Sequence, residues 1–242
     1  MSNQLVTATR FQRLRVKLAG RGRAPAHFLH IRKTAGTAMR HVLTTTPARA
    51  YRVVVRGHGA TLHDVPRGEA FFFIVRDPVA RYVSGFNSRL RQGQPRYHYP
   101  WSEAEAAAFE RFQTPGDLAR ALSSTEDDTR AAAETAMQTI EHVSSSYWDW
   151  FIDEDTLRGR AGDILFIGFQ EQLDQDFATL ATILGLPPSA RLPDDGVLAH
   201  RSPSHLARDV DAEGERNLQR WYRSDFEFVA LCRELRNEID RR

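Results

Sequence analysis

Two short stretches of the chain carry residue types that can grip an oxyanion. The first reads His30-Ile31-Arg32-Lys33-Thr34-Ala35-Gly36-Thr37-Ala38. An apolar run ends there and a helical pattern begins. A helix start exposes unpaired backbone N–H groups and the positive end of the helix dipole, and both suit a phosphate or sulfate. Gly36 lets the backbone come close to such a ligand. Thr34 and Thr37 add hydroxyls, and Lys33 adds a mobile full charge. The text is not a Walker A loop, which requires glycine immediately before the lysine, where this chain has Arg32. No second strand rich in carboxylates accompanies it, which disfavours metal-dependent nucleotide hydrolysis. The plain alternative is an ordinary strand-to-helix turn with a surface lysine.

The second stretch runs Phe71-Phe72-Phe73-Ile74-Val75-Arg76-Asp77-Pro78 and on through Arg81 to Ser84. An apolar strand would deliver Arg76 to the edge of a sheet. Asp77 then serves as N-cap and Pro78 as the first helical residue. Ser84 falls about two helical turns along, facing roughly as Arg76 does, so the pair could hold a second phosphate. The competing reading pairs Arg76 with a carboxylate and packs Ser84. Taken together, two anion sites at neighbouring strand ends suit a ligand with phosphates at two separated positions. A nucleoside triphosphate, with one phosphate chain, would leave the second site without a partner.

The elements that must position these residues are legible in outline. Residues 27–31, 51–55, 70–75 and 164–168 read as strands, apolar enough to be covered on both faces. Residues 37–43 continue the first loop as a helix. Residues 102–143 read as several helices, starting with a capping box at Ser102 and Glu105. Residues 174–184 are amphipathic and stop at Gly185, with Pro187 beyond. Residues 191–205 form a proline-containing loop, and 213–240 read as helix. Tyr147, Trp148, Trp150 and Phe151 form an aromatic cluster for the core. Strands alternating with helices imply a three-layer α/β/α fold with a central parallel sheet, a helix-rich insertion and a helical C-terminus. Ligands in such folds bind beyond the carboxyl ends of the strands, where both motifs fall.

Bulk properties set the frame. The 242 residues carry a net charge of only +2, which gives no bulk case for a nucleic-acid partner. Of the 33 basic residues, only Lys17 and Lys33 are lysines; arginine's planar fork suits phosphate and sulfate. Cys232 is the sole cysteine and sits in the apolar pattern of the last helix, as a buried thiol would. With no long apolar span or secretory h-region, the expected location is cytoplasmic. Residues 1–24 read as a basic arm, solvated or in weak peripheral contact with an anionic membrane. Residues 25–242 read as a single domain.

These residues resemble the sulfotransferases that use 3′-phosphoadenosine 5′-phosphosulfate (PAPS), in particular the carbohydrate branch with its P-loop-like architecture. The first motif of that branch, roughly His-Ile-Pro-Lys-Thr-Gly/Ala-Gly-Thr-Ser, is matched at His30, Ile31, Lys33, Thr34, Ala35, Gly36 and Thr37. The second, roughly Arg-Asp-Pro-x-x-Arg-x-x-Ser, is matched at Arg76, Asp77, Pro78, Arg81 and Ser84. Arg32 replaces a proline, and Ala38 replaces a hydroxyl residue. The resemblance implies a 5′-phosphosulfate site at Lys33, Thr34, Ala35, Gly36 and Thr37, and a 3′-phosphate site at Arg76 and Ser84. Adenine contacts would come partly from a late loop, with Arg201, Ser202 and His205 as candidates. Lys33 would stabilise the leaving oxygen, so no metal is required.

The acceptor hydroxyl needs a base. His58, in Arg56-Gly57-His58-Gly59 after the second strand, is the first choice and His63 the second. His142 and His200 are worse placed on this reading, and His30 is read as core. Arg89, Arg91, Arg96, Tyr97, His98, Tyr99 and Trp101 could line a cleft for a saccharide or other small-molecule acceptor, or form a solvated loop. Two rival functions stand beside sulfuryl transfer: a magnesium-dependent kinase on a related fold, and a non-catalytic nucleotide- or sugar-binding protein.

Overall fold

The computed structural model describes residues 22–194 and 206–241. β1 (Pro25–Leu29) leads through a tight loop into α1 (Gly36–Thr45). β2 (Arg52–Val55) and β3 (Ala70–Val75) follow, then α2 (Pro78–Leu90). The strands, with β4 (Ile164–Phe169), form one sheet in the order β2-β1-β3-β4, and every neighbouring pair is parallel. The basic arm lies almost wholly outside the described residues.

β3 shows why its sequence is a continuous apolar run. Side chains alternate across a strand, and here both faces are covered. Phe71, Phe73 and Val75 join a cluster with Tyr147, Phe151, Phe228 and Cys232. Phe72 and Ile74 join a second cluster with Met39, Leu180 and Leu184 on the other face. All five are buried, each large side chain contributing about 1.5–3 kcal/mol of transfer free energy. These two clusters make the three layers. Cys232 is buried, and burial pushes its thiol well above the ordinary value.

Between β3 and β4 the chain inserts α3 (Glu103–Arg111), α4 (Pro115–Ala121), α5 (Asp127–Thr139) and the short α6 (Trp148–Phe151) and α7 (Glu154–Arg158). With α2, the first three build a third cluster around Tyr82, Phe86, Phe109, Leu118 and Met137. α8 (Leu173–Leu184) follows β4 and closes at Gly185, whose φ is 65°. The C-terminal helical stretch is two helices, α9 (Ala212–Trp221) and α10 (Arg223–Ile239), rather than one. The break has a packing cause. Leu218 belongs to the insertion's cluster and Phe228 to the sheet's. Tyr222 between them donates its hydroxyl hydrogen to the Val143 carbonyl at 2.6 Å.

Candidate active site

The carboxyl ends of the four strands open into one cleft of about 1490 Å³. β1 delivers Lys33 to it, β2 delivers His58, β3 delivers Arg76 and β4 delivers Gln170. Given the strand order, these residues follow one another along the sheet edge as His58, Lys33, Arg76 and Gln170.

The loop after β1 begins two residues earlier than the apolar run suggests. Ile31 is buried, but its N–H bonds back to the Leu29 carbonyl at 3.1 Å where the strand ends, and left-handed φ angles of 67° and 64° at Lys33 and Ala35 turn the chain into α1. Ala35 caps that helix without any side-chain hydrogen bond, which leaves first-turn N–H groups for a ligand. α2 differs: the Asp77 carboxylate accepts from the Ala80 N–H at 2.9 Å. Lys33, Ala35, Gly36 and Thr37 line the cleft. Thr34 faces inward, and its hydroxyl donates to the Ile31 carbonyl at 3.1 Å. Gly36 has a second reason to be glycine: a Cβ there would stand 1.9 Å from the His30 ring. Arg32 lines the cleft with its charge engaged by Glu141 at 3.0 Å.

The two motifs meet. Arg76 Nη1 donates to the Lys33 carbonyl at 3.3 Å, and its Nε is buried without a partner among the described residues. The Tyr147 hydroxyl holds the Arg76 backbone, accepting from its N–H at 2.9 Å and donating to its carbonyl at 2.6 Å. Ser84 lines the cleft and makes no hydrogen bond to a described residue. Arg81, also in the motif, faces away. It lies over the Tyr147 ring at 4.5 Å and pairs with Asp225 at 2.8 Å, both ions fully buried.

Positive charge gathers in and beside the cleft. Burial, then Arg91 and Arg76, push Lys33 down to about 7, with Glu141 opposing. Burial also lowers Arg76. Both Nη atoms of Arg91 are buried with no partner among the described residues. Cations held this way favour an anionic ligand that restores the lost solvation.

His58 is fixed from two sides. Its carbonyl accepts from Trp150 Nε1 at 2.9 Å, and its Nδ1 stands 3.2 Å from the His30 carbonyl. A carbonyl only accepts, so Nδ1 carries the hydrogen and Nε2 keeps a lone pair. Desolvation lowers His58 below the ordinary imidazole value, while that hydrogen bond pulls it back. His30 is buried, as the sequence suggests, but it also lines the cleft and lies against His58, ring centroids 3.9 Å apart.

Other candidates divide. His63 is exposed on the turn Leu62–Asp64 and does not line the cleft. Arg89 lines it, but its guanidinium is bound to Glu105 through two hydrogen bonds of 2.7 Å. Arg96, Tyr97 and Tyr99 line the cleft and are exposed; Arg91, His98 and Trp101 do not line it. Arg201, Ser202, His200 and His205 lie outside the described residues. The sequence ranked His142 below His58 and His63 and did not single out the α8 face of Leu173, Asp174 and Phe177, yet all four residues line the cleft. No local pattern marks them, because the fold brings them there from distant segments.

Among the described residues, no group of three or more His, Cys, Asp or Glu is arranged to hold a metal ion, and no helix is long and apolar enough to cross a membrane. The profile of a family described as "Sulfotransferase family" matches residues 22–229. No curated protein and no solved structure matches the chain.

Proposed function

Because this chain belongs to the sulfotransferase family over residues 22–229, we propose that it transfers a sulfuryl group from PAPS to a hydroxyl or amine acceptor, with His58 as base. The observation that carries this reading is the junction of the two motifs. Arg76 reaches the Lys33 carbonyl at 3.3 Å, and both side chains border one cleft, where each can face a negative charge. A nucleotide with phosphates at its 3′ and 5′ positions supplies two such charges, and one with a 5′-phosphate alone supplies one.

Each residue then has a role. Lys33 and the uncapped N–H groups of α1 bind the 5′-phosphosulfate end and stabilise charge on the leaving oxygen. Arg76 and Ser84 hold the 3′-phosphate. His58 Nε2 removes the acceptor proton as the new S–O bond forms and the bridging S–O bond breaks. The bridging electron pair remains with the 5′-phosphate. The α8 face at Leu173 and Phe177 also lines the cleft and suits the adenosine. Arg96, Tyr97 and Tyr99 border the cleft together with His58, and aromatic faces beside a cation suit a saccharide or glycolipid acceptor.

A radiosulfate transfer screen with PAPS against glycans and glycolipids tests the reading. Transfer should proceed in the presence of a magnesium chelator. Lys33→Ala and His58→Ala should each lower kcat by about 10²-fold or more. Activity that depends on magnesium and on ATP would favour the kinase reading. Nucleotide binding without transfer to any acceptor would favour the non-catalytic one.

A further inference from the structure

The Lys33 loop holds a shape that its own residues do not favour. Lys33 and Ala35, at φ angles of 67° and 64°, are non-glycine residues in the left-handed region. Such backbone persists only where the surroundings over-determine it. Thr34 closes the loop from within, its hydroxyl donating to the Ile31 carbonyl at 3.1 Å. Arg76 of the second motif donates to the Lys33 carbonyl at 3.3 Å. A further tie comes from outside both motifs: Arg32 Nη1 donates to Glu141 Oε1 at 3.0 Å.

Glu141 follows α5 and lines the cleft. A carboxylate bordering a site for a doubly charged anion opposes binding, so its presence there asks for a reason. Its contacts supply one. Oε1 holds Arg32, and Oε2 stands 3.9 Å from Arg89 Nε. The backbone beneath it is built into the insertion. The Glu141 N–H donates to Glu105 at 3.1 Å, and the neighbouring Ile140 and Val143 are buried. Glu105 is buried as well, held by Arg89 through two hydrogen bonds of 2.7 Å and by the Ser102 N–H at 3.0 Å. A carboxylate mounted on this packed network takes hold of the residue immediately before Lys33. Arg32 stands where the matched motif has proline, whose ring would fix the backbone φ by itself.

We propose that the Arg32–Glu141 ion pair tethers the Lys33 loop to the helical insertion and holds it in the turn that receives the 5′ end of the nucleotide, a role that rests on the sulfotransferase reading for the identity of that ligand. Glu141 is then a positioning residue that acts through Arg32, and the ion pair does in this chain what a ring at position 32 would do by covalent means.

Calorimetric titration of the full chain with adenosine 3′,5′-bisphosphate tests it by sign. Glu141→Ala removes a negative charge beside Lys33, which by itself should tighten the binding of an anion. The tether predicts the reverse, a loss of up to about fivefold, the weight of a partly exposed ion pair. Glu141→Asp keeps the charge but is one methylene short of Arg32, and should also lose affinity. The Arg32 N–H makes no hydrogen bond to a described residue, so Arg32→Pro sacrifices none. In the Arg32→Pro background, Glu141→Ala should no longer lower the affinity. Tighter or unchanged binding in both single Glu141 variants, or the same loss on both backgrounds, would overturn the tether. Hydrogen exchange of the free protein judges it without any ligand. Peptides covering residues 31–39 should exchange faster in Glu141→Ala than in wild type while those covering β3 do not change, and equal exchange in the loop would overturn the tether too. A wild-type chain that bound no bisphosphate yet showed the faster loop exchange in Glu141→Ala would remove the sulfotransferase reading and leave the tether standing.

Discussion

Lys33 stands on a left-handed backbone, repelled by Arg91 and Arg76, and burial has already weakened its hold on a proton. Its value of about 7 lies far below the ordinary 10.5, and the sign of the consequence is definite. Above pH 7 the free protein increasingly holds Lys33 uncharged, whereas a bound 5′-phosphate draws it back to the ammonium form. Binding of adenosine 3′,5′-bisphosphate should therefore take up a proton, and affinity should fall by up to about tenfold per pH unit above pH 7. Titrations in buffers of different ionisation enthalpy measure this directly. Lys33→Ala should abolish the slope, and an unchanged slope would assign the proton elsewhere. Stability carries the matching dependence: the unfolded chain holds the Lys33 proton up to about pH 10.5, so folding gains stability as pH rises from 7 toward that value.

At this scale residue type and position in the sequence singled out residues that the fold brings to one cleft. Lys33, Gly36, Thr37, His58, Arg76 and Ser84 all border the cleft. The sequence could not show that Thr34 bonds inward, that Arg81 serves the core, or that His142 enters the cleft. Arg81 depends on partners more than 60 residues away, at Ser145 and Asp225, and no local pattern carries that information.

Among the elements, the joint between α2, the turn before α6 and α10 sets how Arg76 is presented. Asp225 of α10 accepts from Arg81 at 2.8 Å, from the Ser146 hydroxyl at 2.6 Å and from the Tyr147 N–H at 2.9 Å. Tyr147 in turn clamps the Arg76 backbone. Arg81→Met would leave Asp225 as a buried charge without its cation, and should cost about 3–5 kcal/mol of stability. Tyr147→Phe removes one hydroxyl but leaves two backbone groups unpaired. It should cost about 1–3 kcal/mol and weaken binding of the bisphosphate. Urea denaturation with ligand titration measures both. An Arg81→Met protein as stable as wild type, or a Tyr147→Phe protein with undiminished affinity, would mean that this joint does not position Arg76. Element boundaries were legible where capping chemistry is local, as at Asp77 with Pro78 and at Ser102 with Glu105. They were misread where tertiary packing decides. β1 stops at Leu29 although His30 and Ile31 continue its apolar run, and Tyr222 divides the last helical stretch.

For the molecule as a whole, strand order does the decisive positioning. The parallel sheet was expected from apolar runs alternating with helices, but the order β2-β1-β3-β4 arises from long-range pairing that no local pattern encodes. That order puts Lys33 between His58 and Arg76, so the account requires a cofactor lying along the sheet edge and touching both motifs at once. The direct test is thermal shift with adenosine 3′,5′-bisphosphate and with AMP, on wild type and on Arg76→Ala. The bisphosphate should raise the melting temperature of the wild type well above the shift given by AMP, and Arg76→Ala should lose that excess while its response to AMP stays nearly the same. Equal shifts from the two nucleotides in the wild type would contradict the account.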